Sequence, residues 1–184
     1  MADHALRLPA LLGLEPAPHP DRLDLRDGGK AVRVIFRGSR AAAEAAGAAF
    51  GVVLPTAPCR ANSSGDRHAL WLGPDEWLLI GPDGDPATLT AALGAAIGSE
   101  PHGLIDVGHR TAAIVIGGCL VTEVLNAGCP LDLDMAVFPV GMCTRTLLGK
   151  ADILLWRVEP LSFRLEASRS HLPYVVAFLR EAAA

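Results

Sequence analysis

Aromatic side chains make up only 5% of this 184-residue chain, with a single tyrosine among them. So few rings exclude the stacking platforms on which single-stranded nucleic acid lies. Basic charge is also short, with Lys and Arg numbering 16 against 20 Asp and Glu, a net charge of −4. With a pI near 5.8, no cationic footprint marks a nucleic-acid or membrane surface. No apolar run approaches the roughly 20 residues that cross a bilayer. The "LPALLGL" run near the start is broken by Pro9 and Gly13 and preceded by Asp3 and His4. A secretory signal needs a cationic head and a longer apolar stretch, so the expected location is the cytoplasm.

Closely spaced metal ligands are missing as well. Nine residues lie between Cys119 and Cys129 and thirteen between Cys129 and Cys143, whereas zinc sites draw ligand pairs from a single tight turn. His102 and His109 flank a predicted strand stretch and are expected to point to opposite faces. "DGDPAT" and "DLDMAV" begin like calcium loops but lack the third oxygen ligand and the bending glycine. Seven residues separate the glycines of "GMCTRTLLGK", and Ala151 follows its lysine. A phosphate loop needs four, and a Ser or Thr after the lysine. "IVIGGCL" lacks the third glycine of a dinucleotide fingerprint. A Cys–His pair of Cys143 or Cys129 with His109 has no local signature. All four cysteines, Cys59 included, are therefore expected to be reduced packing thiols. No catalytic, cofactor-binding or metal-binding residue is expected in this chain.

What the chain does have is apolar bulk, 51% of residues, enough to fill a sizeable core. Its elements come twice. "AVRVIFRG" reads as a strand, "SRAAAEAAGAAFGV" as a helix opened by serine, "HALWLG" and "EWLLIG" as strands, and "DPATLTAALGAAIG" as a helix. "TAAIVIGG", "CLVTEVLNAG", "TRTLLG", "DILLWR", "SFRLEAS" and "SHLPYVVAFLREA" repeat the order. Val32 and Ala112 are 80 residues apart, Leu70 and Ile153 83. The near-constant offset predicts an α+β fold of two duplicated β-α-β-β-α units with their sheets together and helices outside. The expected division is an N-terminal arm over 1–30, a first lobe over 31–102 and a second over 103–184, in one compact domain. The arm, rich in proline, is either a disordered leader or an extended segment on another surface. Asp106, His109 and Arg110 crowd the turn that opens the second copy, where polar residues stitch lobes, meet a partner or meet a ligand.

Four stretches carry a resemblance: "LWLGPDEWLLIGP" (70–82), "DVGHRTAAIVIGG" (106–118), "GCPLDL…FPVG…CTRTLLGKADILLWR" (128–157) and "FRLEASRSHLPYVVAFLREA" (163–182). Together, over about residue 32 to the end, the chain resembles the gamma subunits of bacterial heterotetrameric sarcosine oxidases. The resemblance implies a non-catalytic subunit that supports a complex with alpha, beta and delta partners. That complex oxidatively demethylates sarcosine to glycine and peroxide, with tetrahydrofolate as one-carbon acceptor. FAD, FMN, NAD and zinc reside in the other subunits. The implied fold is that of the folate-binding domain of aminomethyltransferases, and a stand-alone folate-dependent one-carbon enzyme is the alternative. A fold relative carries a functional cysteine in a motif that "VGMCTRTLLGKA" does not match, so no thiol role passes to Cys143. Gly108 stands where the family pattern would have serine, which weakens a ligand role for that turn. The 128–150 loop is then a surface read by a larger subunit. Arg145 and Lys150 would face that subunit or the other lobe.

Overall fold

The structure, a computed structural model, describes residues 17–184. Among the described residues, ten strands and four helices follow one another. The first copy runs β1 (Asp24–Asp27), β2 (Val32–Gly38), α1 (Arg40–Phe50), β3 (Ala61–Ser64), β4 (Arg67–Gly73), β5 (Glu76–Gly81) and α2 (Pro86–Ile97). The second runs β6 (His102–Asp106), β7 (Thr111–Gly117), α3 (Val121–Asn126), β8 (Cys143–Leu148), β9 (Ala151–Glu159), β10 (Ser162–Ser168) and α4 (Leu172–Ala182).

Local chemistry sets the helix ends. The Ser39 hydroxyl accepts from Ala42 N–H at 3.2 Å, and Gly51 closes α1 in the left-handed region at φ 77°. The Asp85 carboxylate accepts from the N–H groups of Ala87 and Thr88, with Pro86 in the first turn of α2.

All strand pairing is antiparallel, in two five-stranded sheets ordered β3-β4-β5-β2-β6 and β8-β9-β10-β7-β1. The two orders match strand for strand, which makes the duplication visible. Each copy carries a leading strand that the expected β-α-β-β-α unit lacked, and the first also carries β3. The leading strands are exchanged. β1 pairs with β7 of the second copy, Asp24 opposite Gly117, and β6 pairs with β2 of the first, Val34 opposite Asp106. Strand pairing thus cuts across the boundary expected at residue 102. The first 16 residues of the expected arm lie outside the described residues. Its remainder is no arm on another surface, because Leu23 and Leu25 fill the core beneath the second sheet.

Alternation along each strand divides the molecule into four layers. Val34, Phe36, Trp77 and Leu79 face α1 and α2. Ile114, Ile116, Leu155, Phe163 and Leu165 face α3 and α4. The opposite faces meet each other, sheet on sheet, through Leu70, Leu78, Ile80, Cys143, Leu154 and Trp156. Strands buried on both faces explain why the central ones read as unbroken apolar runs.

One charged cluster crosses that inner interface. Arg33 of β2 donates from Nε to Glu166 Oε2 of β10 at 2.6 Å, both side chains being 3% exposed. Arg164 Nε reaches Glu166 Oε1 at 2.8 Å, and its Nη1 donates to the carbonyl of Gly28 at 3.1 Å. One carboxylate therefore bridges two guanidinium groups from opposite sheets. Removing it strands the buried Arg33 and the partly buried Arg164, a loss of roughly 3–5 kcal/mol for a broken buried pair. Glu166→Leu should lower stability to urea by that amount. Arg33→Met should cost clearly less, since Arg164 still neutralises Glu166; equal losses would contradict the bridging geometry.

Candidate functional site

Beyond the inner core the two sheets diverge into a cleft of about 900 Å³. Ile35, Leu78 and Leu154 form its floor, while Ile105 and Leu147 stand exposed at its mouth. Arg110 and Arg145 line it, one from the turn before β7 and one from β8. Arg145 pairs with Glu76 of β5, so it joins the second copy to the first. At that exposure the pair adds little stability and mainly sets position.

The other expected residues separate. The Asp106 carboxylate accepts from Gly108 N–H at 2.8 Å, shaping the turn after β6. His109 is exposed in the same turn and does not line the cleft. Lys150 sits in the β8–β9 hairpin, where its backbone N–H donates to the Tyr174 hydroxyl of α4 at 3.1 Å. Arg110 and Arg145 are thus brought to one cleft, and His109 and Lys150 are not. Arg33, Glu166 and Arg157 escaped the sequence reading. Their one signal was a charged residue inside an apolar strand run.

The loop before β8 is built as tightly as a helix. Asp134 N–H donates to Asp132 Oδ1 at 2.9 Å and Ala136 N–H to Asp134 Oδ1 at 2.8 Å. Phe138 N–H closes a turn on the carbonyl of Asp134 at 2.7 Å, and its buried ring packs 6.1 Å from that of Phe163. Arg157, buried in β9, donates to the carbonyl of Leu133 at 2.5 Å and to Met135 Sδ at 3.1 Å. Its guanidinium lies 4.5 Å over the Phe163 ring. Burial lowers the Arg157 pKa, and Asp134 opposes that shift. Gly149, at φ 58°, lets the β8–β9 turn pass against the Tyr174 hydroxyl, where a side chain would collide.

Cys129 and Cys143 are buried packing thiols, as expected, whereas Cys119 is exposed and Cys59 half-buried. Burial pushes the Cys143 thiol up to about 12, and the thiol donates to the carbonyl of Trp71 at 3.7 Å. A thiol so held is no nucleophile at neutral pH. Among the described residues, no three His, Cys, Asp or Glu side chains are grouped to hold a metal ion. No helix among them is long and apolar enough to cross a membrane.

His68 of β4 joins the two sheets near the charged cluster. Its Nδ1 lies 2.8 Å from Ser63 Oγ and its ring 5.0 Å from that of Trp156. Burial, and then Arg164, lower its pKa below the ordinary 6.5, against Asp66 and Glu166.

Two outcomes follow. A thiol reagent at pH 8 should modify Cys119 in the native chain and leave Cys143 untouched until denaturant is added; native labelling of Cys143 would contradict its burial. With its folded pKa depressed, His68 binds its proton more readily in the unfolded chain. Its contribution is complete above pH 6.5 and is lost as pH falls through the folded value. Unfolding free energy measured against pH should therefore decline less steeply below that point in His68→Gln; an unchanged slope would contradict the assignment.

Residues 31–184 match the family described as sarcosine oxidase, gamma subunit family. A sarcosine oxidase subunit gamma from Corynebacterium sp. (strain P-1) is 35% identical over 122 residues, covering 66% of this chain and 59% of that protein. One from Arthrobacter sp. is 33% identical over 177 residues, covering 89% of this chain and 86% of that one. A chain of the heterotetrameric sarcosine oxidase from Corynebacterium sp. U-96, solved in complex with pyrrole 2-carboxylate, superposes with a TM-score of 0.82 at 28% identity. That match covers 92% of this chain and 95% of the other. Aminomethyltransferase T of the glycine cleavage system from Bartonella henselae superposes at 0.65 with 14% identity, over 86% of this chain and 45% of that one. This second likeness shows the aminomethyltransferase-like fold alone. With the match running from the first sheet to the last helix, the chain belongs to the sarcosine oxidase gamma subunit family.

Proposed function

We propose that this chain serves as the gamma subunit of a heterotetrameric sarcosine oxidase, a non-catalytic component that supports assembly. The observation that carries the reading is the superposition on a chain of the Corynebacterium heterotetramer over nearly the full length of both. Its partners are the alpha, beta and delta subunits of the same complex, in the cytoplasm. The complex demethylates sarcosine oxidatively to glycine, releases peroxide and hands the one-carbon unit to tetrahydrofolate. FAD, FMN, NAD and zinc are carried by the partners, and this chain supplies surface rather than chemistry. Asp106, His109, Arg110, Arg145 and Lys150 belong to the lobe junction or to partner contacts.

The exposed apolar side chains support this reading, since Val137, Ile105 and Leu161 are each more than half exposed. Apolar residues left in water on a well-packed domain mark contact surfaces when they gather into a patch. The test is co-expression with the alpha, beta and delta subunits of the same genome, affinity recovery, and assay of peroxide release from sarcosine. The chain should co-purify in equal stoichiometry, and its omission should abolish the activity. Full activity without it would contradict the proposal.

A further inference from the structure

The subunit reading, on which this inference rests, does not say which surface meets a neighbour. The loop from Cys129 to Met142 has the marks of one. Met135, Val137 and Val140 are 40%, 55% and 45% exposed. Apolar side chains on a slack loop turn inward, but these are held outward by the loop's own construction. The Asp132 and Asp134 turns fix its backbone. Phe138 anchors it from below, and the buried Arg157 grips Leu133 and Met135 from β9. Placing a guanidinium out of water is costly, and here Nη1 and Nη2 of Arg157 donate to the loop while its buried Nε has no partner. The result is a preorganised projection, which loses little conformational freedom on docking.

Its charge narrows the occupant. Asp132 and Asp134 are exposed beside the apolar side chains, and the segment from Cys129 to Met142 contains no lysine or arginine. A complementary surface is apolar at its centre and cationic at its rim. We propose that this loop docks as an apolar knob into a socket rimmed by lysine or arginine on a neighbouring subunit of the sarcosine oxidase assembly.

The test uses the full chain co-expressed with the other three subunits. Val137→Asp with Val140→Asp should cut the chain recovered in the complex about tenfold or more, the loss expected when anchoring apolar contacts are removed. The isolated variant should melt like the parent, because both side chains are exposed. Asp132→Asn with Asp134→Asn keeps the oxygens that shape the turns. It should weaken recovery less and reduce its dependence on salt. A photo-crosslinking residue at position 137 should link to one partner subunit, which holds the test open should the aspartate variant fail to fold. Parent-like recovery of the aspartate variant, or no crosslink in an assembled complex, would overturn the knob while sparing the subunit reading. A parent chain that never joins the complex would overturn that reading and the knob together.

Discussion

The ion pair between Arg33 and Glu166 is the contact on which the arrangement of the two sheets depends. It is the buried charge pair that crosses the inner interface among the described residues, linking positions 133 residues apart in the chain. Its placement is a consequence of duplication. Arg33 lies opposite Ile80 in the first sheet, and Glu166 lies opposite Ala113 at the matching point of the second. Ala113 is thus the counterpart of Arg33, and Ile80 that of Glu166. Divergence has placed a cation at one of these two positions in the first copy and a carboxylate at the other in the second. Arg164 shares the same carboxylate and, through Gly28, ties in the segment after the exchanged strand β1. A buried pair is weak evidence for net stability, but its geometry selects one register of sheet on sheet. Glu166 also lines the cleft, so the pair stands in its wall.

The strand exchange has the same effect on the whole chain. Each sheet borrows its edge beside the first long strand from the other copy. Neither copy completes its own sheet, so the two lobes form one structural unit. Where the 59–61 segment meets 141–143, further backbone bonds join the sheets, with Ala61 N–H on the carbonyl of Gly141 and Cys143 N–H on that of Cys59. A frame stiffened in this way suits a component whose task is to present surface.

How much of this was legible depended on burial. β4, β5, β7 and β9 stood out as apolar runs because their faces are largely covered, and β10 by the alternation of Phe163, Leu165 and Ala167 with Arg164 and Glu166. Ser39 and Asp85 announced their helices because a cap is a local interaction. β1 and β3 went unread, and β6 was read only as a strand stretch between His102 and His109, outside the repeated unit; all three are edge strands, where "DLRD", "ANSS" and "HGLID" show the polar character that protects an open edge. The exchange of β1 and β6 has no local signature, since pairing is decided by partners 64–93 residues away. The candidate site was half visible. A polar turn marked Asp106 and Arg110, and Arg145 was read as facing either a larger subunit or the other lobe; it reaches Glu76 of the first copy. Arg157 was invisible as the support of the 129–142 loop because it lies in a later strand and reaches back across the sheet end.

The account joins a rigid frame, an apolar loop held out by a buried arginine, and membership of a family named for a subunit of an oxidase complex. Hydrogen exchange tests that combination most directly, comparing the chain alone with the chain in the assembled heterotetramer. The account predicts that the inner strands exchange slowly in both states and that amides from Leu131 to Met142 become slower on assembly. Identical exchange in that segment with and without the other subunits would contradict it.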